Sequence, residues 1–299
     1  MDITSKLRGL VDYHLHTGTS IDARGVKEEG YCRRALELGL REICFTNHWS
    51  PVDPDYSVTP EEMNGHWREV ERCRATYPQL GLRLGLEMDY FQGREGEIAA
   101  AIVRFEEIMD RPFDYVLGGI HFLHGIHYVS QRDAHRLYEH HPIETIFEDY
   151  FALLTNAVRS GLYDVMSHPD IIKKQCGGMC KSYPFESYRH LVVPVVEALL
   201  DEGVGMEMNT KGLTHPVREM NPSLPFMSLY VGRARERGVE PIITLGSDAH
   251  RHYQLGRLLE KGVEQLRACG VDRVALWRAR RVAWLPLPRE GIGGHVSVS

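Results

Sequence analysis

The stretch Val11-Asp12-Tyr13-His14-Leu15-His16 decides how the rest of the chain is read. It is a short apolar run that ends in two imidazoles one residue apart. In an extended strand, residues two apart point to the same face. His14 and His16 can therefore aim at one point just past a strand end, a common beginning of a transition-metal site. Taken alone the pair could equally be two polar residues where a strand becomes a loop. Its weight depends on whether the pattern recurs.

It does recur. Ile43-Cys44-Phe45-Thr46-Asn47-His48 is a second buried strand ending in His, and Leu82 to Leu86 is followed by Glu87. Residues 115–120 lead to His121, and residues 163–167 to His168-Pro169-Asp170. Residues 204–208 lead to Asn209, and residues 241–245 to Gly246-Ser247-Asp248-Ala249-His250. Helical patterns separate these runs. They fall at 27–39 with Gly39 as a stop, and from Thr59 to about Tyr77 behind a capping residue, a Pro and two acids. Others fall at 95–109, 142–159, 185–201, 224–237 and 253–268, with a short strand-like tail over 282–285. Residues 122–141 read as a long His-rich connection.

Strand and helix in alternation imply a parallel sheet. Seven or so such units in this length fit a single α/β domain, a TIM-like (β/α) barrel over residues 1–288, with 289–299 a flexible tail. An open doubly wound sheet is the alternative, but the first strand is followed by no Gly-x-Gly-x-x-Gly. In a barrel the C-terminal strand ends share one mouth. Six histidines and two carboxylates, His14, His16, His48, Glu87, His121, His168, Asp248 and His250, would then meet there as a multi-metal site.

Bulk properties narrow the partners. The 299 residues carry a formal charge of -6, with 43% hydrophobic and 25% charged residues. That balance argues against a nucleic-acid binder. No apolar run is long enough for a membrane span, and the first residues do not read as a secretory signal. The six cysteines are scattered without Cys-x-x-Cys, which suits reduced thiols and a cytoplasmic location.

With these motifs in hand, the chain resembles the polymerase and histidinol phosphatase (PHP) family. The matching stretches are Asp12-Tyr13-His14-Leu15-His16, Thr46-Asn47-His48, Gly85-Leu86-Glu87, Gly118-Gly119-Ile120-His121-Phe122, Ser167-His168-Pro169-Asp170 and Gly246-Ser247-Asp248-Ala249-His250. They span about residues 10–285, and the ordered set is far more specific than any one piece. Within the family the chain is most similar to stand-alone histidinol-phosphate phosphatases, through residues 41–46, His168-Pro169-Asp170-Ile171-Ile172-Lys173, and Glu207-Met208-Asn209-Thr210 followed by Asn221-Pro222-Ser223.

The resemblance implies a distorted (β/α)7 barrel and three metal ions, zinc, manganese or iron. By position the first takes His14, His16, Glu87 and Asp248, and the second Glu87, His121 and His168. The third takes Asp22, His48 and His250. Only the resemblance singles out Asp22. Glu87, Asp248 and His250 carry catalytic roles in this assignment. The implied activity is hydrolysis of a small phosphate monoester, histidinol phosphate first, by a metal-bridged hydroxide and without a covalent intermediate. The alternative is a phosphatase or phosphodiesterase of the same family acting on another small phosphorylated metabolite, a sugar, nucleotide or cyclic phosphate. Lys173, Lys174, Lys211, Arg218 and Arg251 are candidate phosphate contacts on mouth loops.

Two departures stand out. Asn47 occupies a place where the family often has Asp, and Asn209-Thr210-Lys211-Gly212-Leu213-Thr214 replaces Asn-Thr-Ser-Gly-Leu-Arg. An amidohydrolase would also begin with His-x-His, but it usually has a metal-bridging Lys where this chain has His121. A binding module that had lost catalysis would be expected to have lost ligands as well.

Overall fold

In a computed structural model, residues 6–130, 132–176, 178 and 182–288 are described. Seven strands form one parallel sheet: β1 (Val11–Leu15), β2 (Glu42–Trp49), β3 (Gly81–Asp89), β4 (Tyr115–Gly119), β7 (Val165–Met166), β8 (Gly205–Asn209) and β9 (Ile243–Gly246). They are ordered β1-β2-β3-β4-β7-β8-β9. Between β4 and β7 lies a small hairpin, β5 (Phe122–Leu123) with β6 (Ile126–His127). The connection expected to be irregular over 122–141 thus contains this hairpin and a helix at Ala134–His140. Their short lengths leave little periodicity to read.

The sheet rolls until its edges nearly meet. Leu15 bridges Ala249 in parallel, with His16 N donating to Ala249 O at 2.9 Å and Ala249 N to His14 O at 3.2 Å. A buried side chain completes the seam. The Asp12 carboxylate accepts from Ser247 N (2.9 Å), Ser247 Oγ (2.5 Å) and Gly256 N (2.9 Å). Burial lifts its pKa to about 6 despite those donors.

Helices cover the outside. Glu28–Leu38 ends on Gly39 at φ 71°, a left-handed cap that glycine adopts without strain. Pro60–Thr76 opens with the expected capping box between Thr59 and Glu62. Ile143–Arg159 buries Ile146, Phe147, Tyr150, Phe151 and Leu154 along one face. At roughly 1.5–3 kcal/mol for each large apolar side chain, that face holds the helix in place more than helix propensity does. The last helix, expected from residue 253, starts only at Leu259, after a 3-10 turn over His252–Gln254.

The strand-like tail proves to be half of an antiparallel hairpin, β10 (Arg273–Arg278) with β11 (Arg281–Pro286). It closes the N-terminal end of the barrel. Arg278 reaches Glu42 at the start of β2, and Arg280 reaches Asp164 just before β7. Trp277 N donates to the hydroxyl of Tyr13 at 3.1 Å. With that end plugged, the barrel opens at its C-terminal mouth. Residues 289–299, expected as a tail, lie outside the described residues. Among the described residues no helix is long and apolar enough to cross a membrane.

Candidate metal centre

Parallel register carries the strand-end residues into phase. His48 on β2 pairs with Glu87 on β3, and β1, paired with β2, carries His14, with His16 just past its end. The structure brings all nine predicted donors together: His14, His16, Asp22, His48, Glu87, His121, His168, Asp248 and His250. Sets of three donors lie within 4.8 Å of one another as His14/His16/Asp248, His14/Glu87/His168, His48/Glu87/His121 and His16/His48/His250. Asp22 joins through Oδ2, 2.7 Å from His250 Nε2 and 3.5 Å from His48 Nε2.

Glu87 is the hub. Its Oε2 lies 3.1 Å from His14 Nε2, 3.6 Å from His16 Nε2 and 3.0 Å from His48 Nδ1. Its Oε1 lies 2.8 Å from His168 Nε2 and 3.6 Å from His121 Nε2. One carboxylate therefore spans two groups of imidazoles. Burial would raise its pKa, but His14, His48 and His121 together hold it well below the usual range. Asp248 is likewise held low, by Lys211 and His14 against the effect of burial. His16 is pushed the other way, by burial and by the neighbouring rings of His48 and His250, and stays neutral.

The donor set fits cations. Nε2 of His14 and Nε2 of His16 face each other at 3.0 Å, and those of His121 and His168 at 3.2 Å. Two imidazole nitrogens at that distance cannot both carry protons, whereas lone pairs on both can converge on a shared ion. Among the described residues, Nδ1 of His16 and of His168 are buried with no hydrogen-bond partner. Backbone strain sits here too. His168 at φ 27° and Asp248 at φ 51° occupy left-handed conformations, which cost on the order of 1–3 kcal/mol each and collect at functional sites.

A second ring of residues aims these donors. Glu207 Oε1 lies 2.8 Å from His14 Nδ1, while Oε2 accepts from His168 N (2.9 Å) and Asn209 Nδ2 (3.1 Å). Asp89 Oδ1 lies 2.6 Å from His121 Nδ1. Neither Glu207 nor Asp89 is among the site residues expected from the sequence, although Glu207 lies in one of the stretches that carry the resemblance. A signal existed for each: Glu207 is the lone acid inside a buried strand, where a charge needs a partner. Asp89 follows Glu87 by two residues and so shares its face. Asn209, a strand-end residue, supports Glu207 and supplies no donor to the cluster. Asn47 faces away from the centre, as strand alternation requires of a neighbour of His48. It ties down the loop after β1 through Thr17 N (2.8 Å) and Ser20 Oγ (3.0 Å). The missing charge at that position therefore removes nothing from an imidazole.

Above the cluster is a cavity of about 390 Å³, a size suited to a small molecule. Lys174 and Lys211 line it, as do Tyr56, His127, Ser130, His215, Asp53 and Asp55. Lys211 Nζ lies 2.9 Å from Asp248 Oδ1 and 3.2 Å from His250 Nδ1. Tyr56 OH meets His48 Nε2 at 2.9 Å. Three of the candidate phosphate contacts fall elsewhere. Lys173 is buried with its ammonium on Asp170 (2.8 Å), Glu219 (3.1 Å) and Met220 O (2.7 Å), because Lys173 and Lys174 lie on different sides of one 3-10 turn. Arg218 is exposed and does not line the cavity. Arg251 also lies outside it, donating to Asp22 O at 2.9 Å.

A parallel barrel with this crowd of imidazoles and carboxylates at its mouth defines the class: a barrel metallohydrolase. The chain belongs to the PHP domain family, whose model matches residues 12–211. Full-length relatives extend the match through Asp248 and His250. A probable histidinol-phosphatase of Deinococcus radiodurans is 31% identical over 288 residues, covering 92% of this chain and 99% of that protein. The histidinol-phosphatase of Lactococcus lactis is 26% identical, covering 91% and 96%. In fold the chain is similar to a crystal structure of histidinol phosphate phosphatase from Lactococcus lactis, complexed with zinc, L-histidinol and phosphate. That structure superimposes with a TM-score of 0.74 at 22% identity, covering 92% of this chain and 98% of the other.

Proposed function

We propose that this chain is a metal-dependent phosphomonoesterase that converts histidinol phosphate to histidinol and inorganic phosphate. The observation that carries the reaction class is Glu87, one carboxylate held between two groups of imidazoles on the floor of a small-molecule cavity. The substrate is drawn from the full-length relatives named histidinol-phosphatase.

Three divalent ions, zinc, manganese or iron, would be held by His14, His16, Glu87 and Asp248, by Glu87, His121 and His168, and by Asp22, His48 and His250. Bound there, such ions supply Lewis acidity toward the phosphoryl oxygens and the attacking water. The protein's own contribution is positional. Lys211, beside Asp248, and Lys174, at the cavity wall, present ammonium groups to a phosphoryl dianion. Tyr56 stacks on the ring of His48, 4.2 Å between centroids, and so fixes its plane. Glu207 and Asp89 fix which nitrogen of His14 and His121 faces the centre. The free thiols of the described residues suit the reducing cytoplasm, where we place the protein.

The test is turnover of purified protein against histidinol phosphate beside phosphorylated sugars, nucleotides and a phosphodiester, with and without chelator. Histidinol phosphate should head the panel, and chelator should remove the activity. A better sugar or nucleotide substrate would end the narrow assignment, and chelator-insensitive turnover the broad one.

A further inference from the structure

The loop after β8 carries one of the two departures from the family pattern. Residues Thr210–Thr214 form a 3-10 turn capped by Asn209, whose side chain accepts from Lys211 N at 3.0 Å. The two ends of the loop are tied together, Asn209 N to Asn221 O at 2.7 Å and Asn221 N to Asn209 O at 3.1 Å. Gly212 packs so closely that a Cβ there would stand 2.1 Å from Glu219 O. On this fixed platform Lys211 lines the cavity, whereas Thr214, at the Arg position of the pattern, is exposed and outside it. His215, the next residue, lines the cavity again.

His215 is nine-tenths buried, and among the described residues its Nδ1 has no hydrogen-bond partner. It belongs to none of the donor groups of the centre. Its backbone is held on both sides, N donating to Gly212 O and O accepting from Arg218 N, each at 3.0 Å. Burial, with Lys174 and Lys211 nearby, holds its pKa down to about 3. At neutral pH the ring is therefore uncharged, with one N–H to donate and one lone pair. A buried polar atom without a partner is costly, and a ligand in the cavity can supply one. With Lys174 and Lys211 this ring makes a wall suited to phosphoryl oxygens. The lysines differ from it in having partners already: Lys174 Nζ donates to Val129 O at 2.6 Å, and Lys211 Nζ to Asp248 Oδ1 at 2.9 Å.

We infer that His215 is a specificity-determining residue, donating its ring N–H to a third terminal phosphoryl oxygen, which a phosphate monoester presents and a diester lacks. The inference rests on the phosphomonoesterase reading and adds to it the residue that enforces the choice. A monoester has three terminal oxygens, enough to serve the centre and the wall together. A diester must put its second ester group in one of those places, and against His215 that group leaves the N–H unpaired. A buried donor left unpaired rejects an analogue more strongly than a lost apolar contact does. The lysines, whose protein partners remain in place, discriminate less.

The experiment compares p-nitrophenyl phosphate with methyl p-nitrophenyl phosphate, which share a leaving group, in the metal-loaded full-length enzyme. His215→Ala removes the donor, and His215→Asn keeps an N–H on a shorter side chain. If the alanine variant does not fold, His215→Phe, a ring without nitrogen, takes its place. The wild type should favour the monoester in kcat/KM. In His215→Ala the monoester value should fall about 10–100-fold, as for one hydrogen bond to a charged oxygen, while the diester value holds. Inhibition by inorganic phosphate should weaken by a similar factor with metal content unchanged, and His215→Asn should recover part of the preference. A purely structural role would lower both substrates together. An unchanged monoester-to-diester ratio in the donorless variant, or equal use of the two esters by the wild type, would overturn the role of His215. Failure of the wild type to hydrolyse any phosphate monoester would instead overturn the reading beneath it.

Discussion

Nδ1 of His14 lies 2.8 Å from Oε1 of Glu207, and both side chains are buried. The pairing leaves Nε2 of His14 facing His16 and Glu87. Burial alone would lower the His14 pKa, but Glu207, Glu87 and Asp248 together raise it well above the ordinary value. In Glu207→Gln, one end of the amide must turn an N–H toward existing donors, either His14 or the His168 amide and Asn209. Metal affinity should fall about 10–100-fold, as for other groups that orient a liganding imidazole. Metal content after graded chelator dialysis measures this, and a variant that holds its metal as firmly as wild type would remove Glu207 from that role.

Gly246 makes the pairing possible. A Cβ there would stand 2.1 Å from Glu207 Oε1 and 2.7 Å from His14 Cβ. Gly246→Ala should therefore displace Glu207 and cost at least about 1–3 kcal/mol, the usual range for overpacking. Denaturant unfolding gives the stability, and metal content gives the displacement. Wild-type values in both would show that the strand can shift to admit the methyl group.

Replacing Glu87 by Gln leaves the size and removes the charge that balances the surrounding imidazoles. Turnover should fall by on the order of a thousandfold or more, since the electrostatic contribution of a catalytic metal centre is that large. Chelation of the wild type should produce a comparable loss, reversed by adding back the divalent ion. A Glu87→Gln enzyme with near-normal kcat would place the hub of the centre elsewhere.

Lys174 titrates within reach of an assay. Burial and the nearby charge of Lys211 lower its pKa to about 8. Its ammonium is present below that pH and lost above it. KM for a phosphomonoester should accordingly rise as pH passes about 8, while Lys174→Met should show a high KM without that alkaline rise. Identical pH profiles for the two proteins would remove Lys174 from phosphate binding.

Lys173 should behave oppositely to its neighbour. Its ammonium answers Asp170, a buried carboxylate whose pKa is raised by burial even with that partner in place. Lys173→Met strands the carboxylate, and breaking a buried pair costs about 3–5 kcal/mol. Unfolding midpoints should drop sharply, whereas KM of the folded fraction should hold. A stable variant with a raised KM would put Lys173 in the cavity after all.

The comparison of Lys173 with Lys174 shows what motif reading can and cannot reach. Adjacent lysines on a loop look alike in sequence, and a 3-10 turn sends one inward and the other to the cavity. Asn47 makes the same point: its neighbour His48 faces the centre, so strand alternation turns Asn47 to the loop after β1.

The sequence by itself determined the alternation of strand and helix and the donors at the strand ends, because period-two alternation and strand termination are local properties. Nine donor positions could be named from it, Asp22 only through family resemblance. Tertiary structure alone decided that Glu207 and Asp89 aim the imidazoles. It also decided that Lys173 is structural and that a C-terminal hairpin closes the barrel floor. Each of these depends on ring closure and strand register, which set distances between residues far apart in the chain; local spacing shows at most that Asp89 shares a face with Glu87 or that Glu207 lies in a buried strand, not which imidazole each one meets.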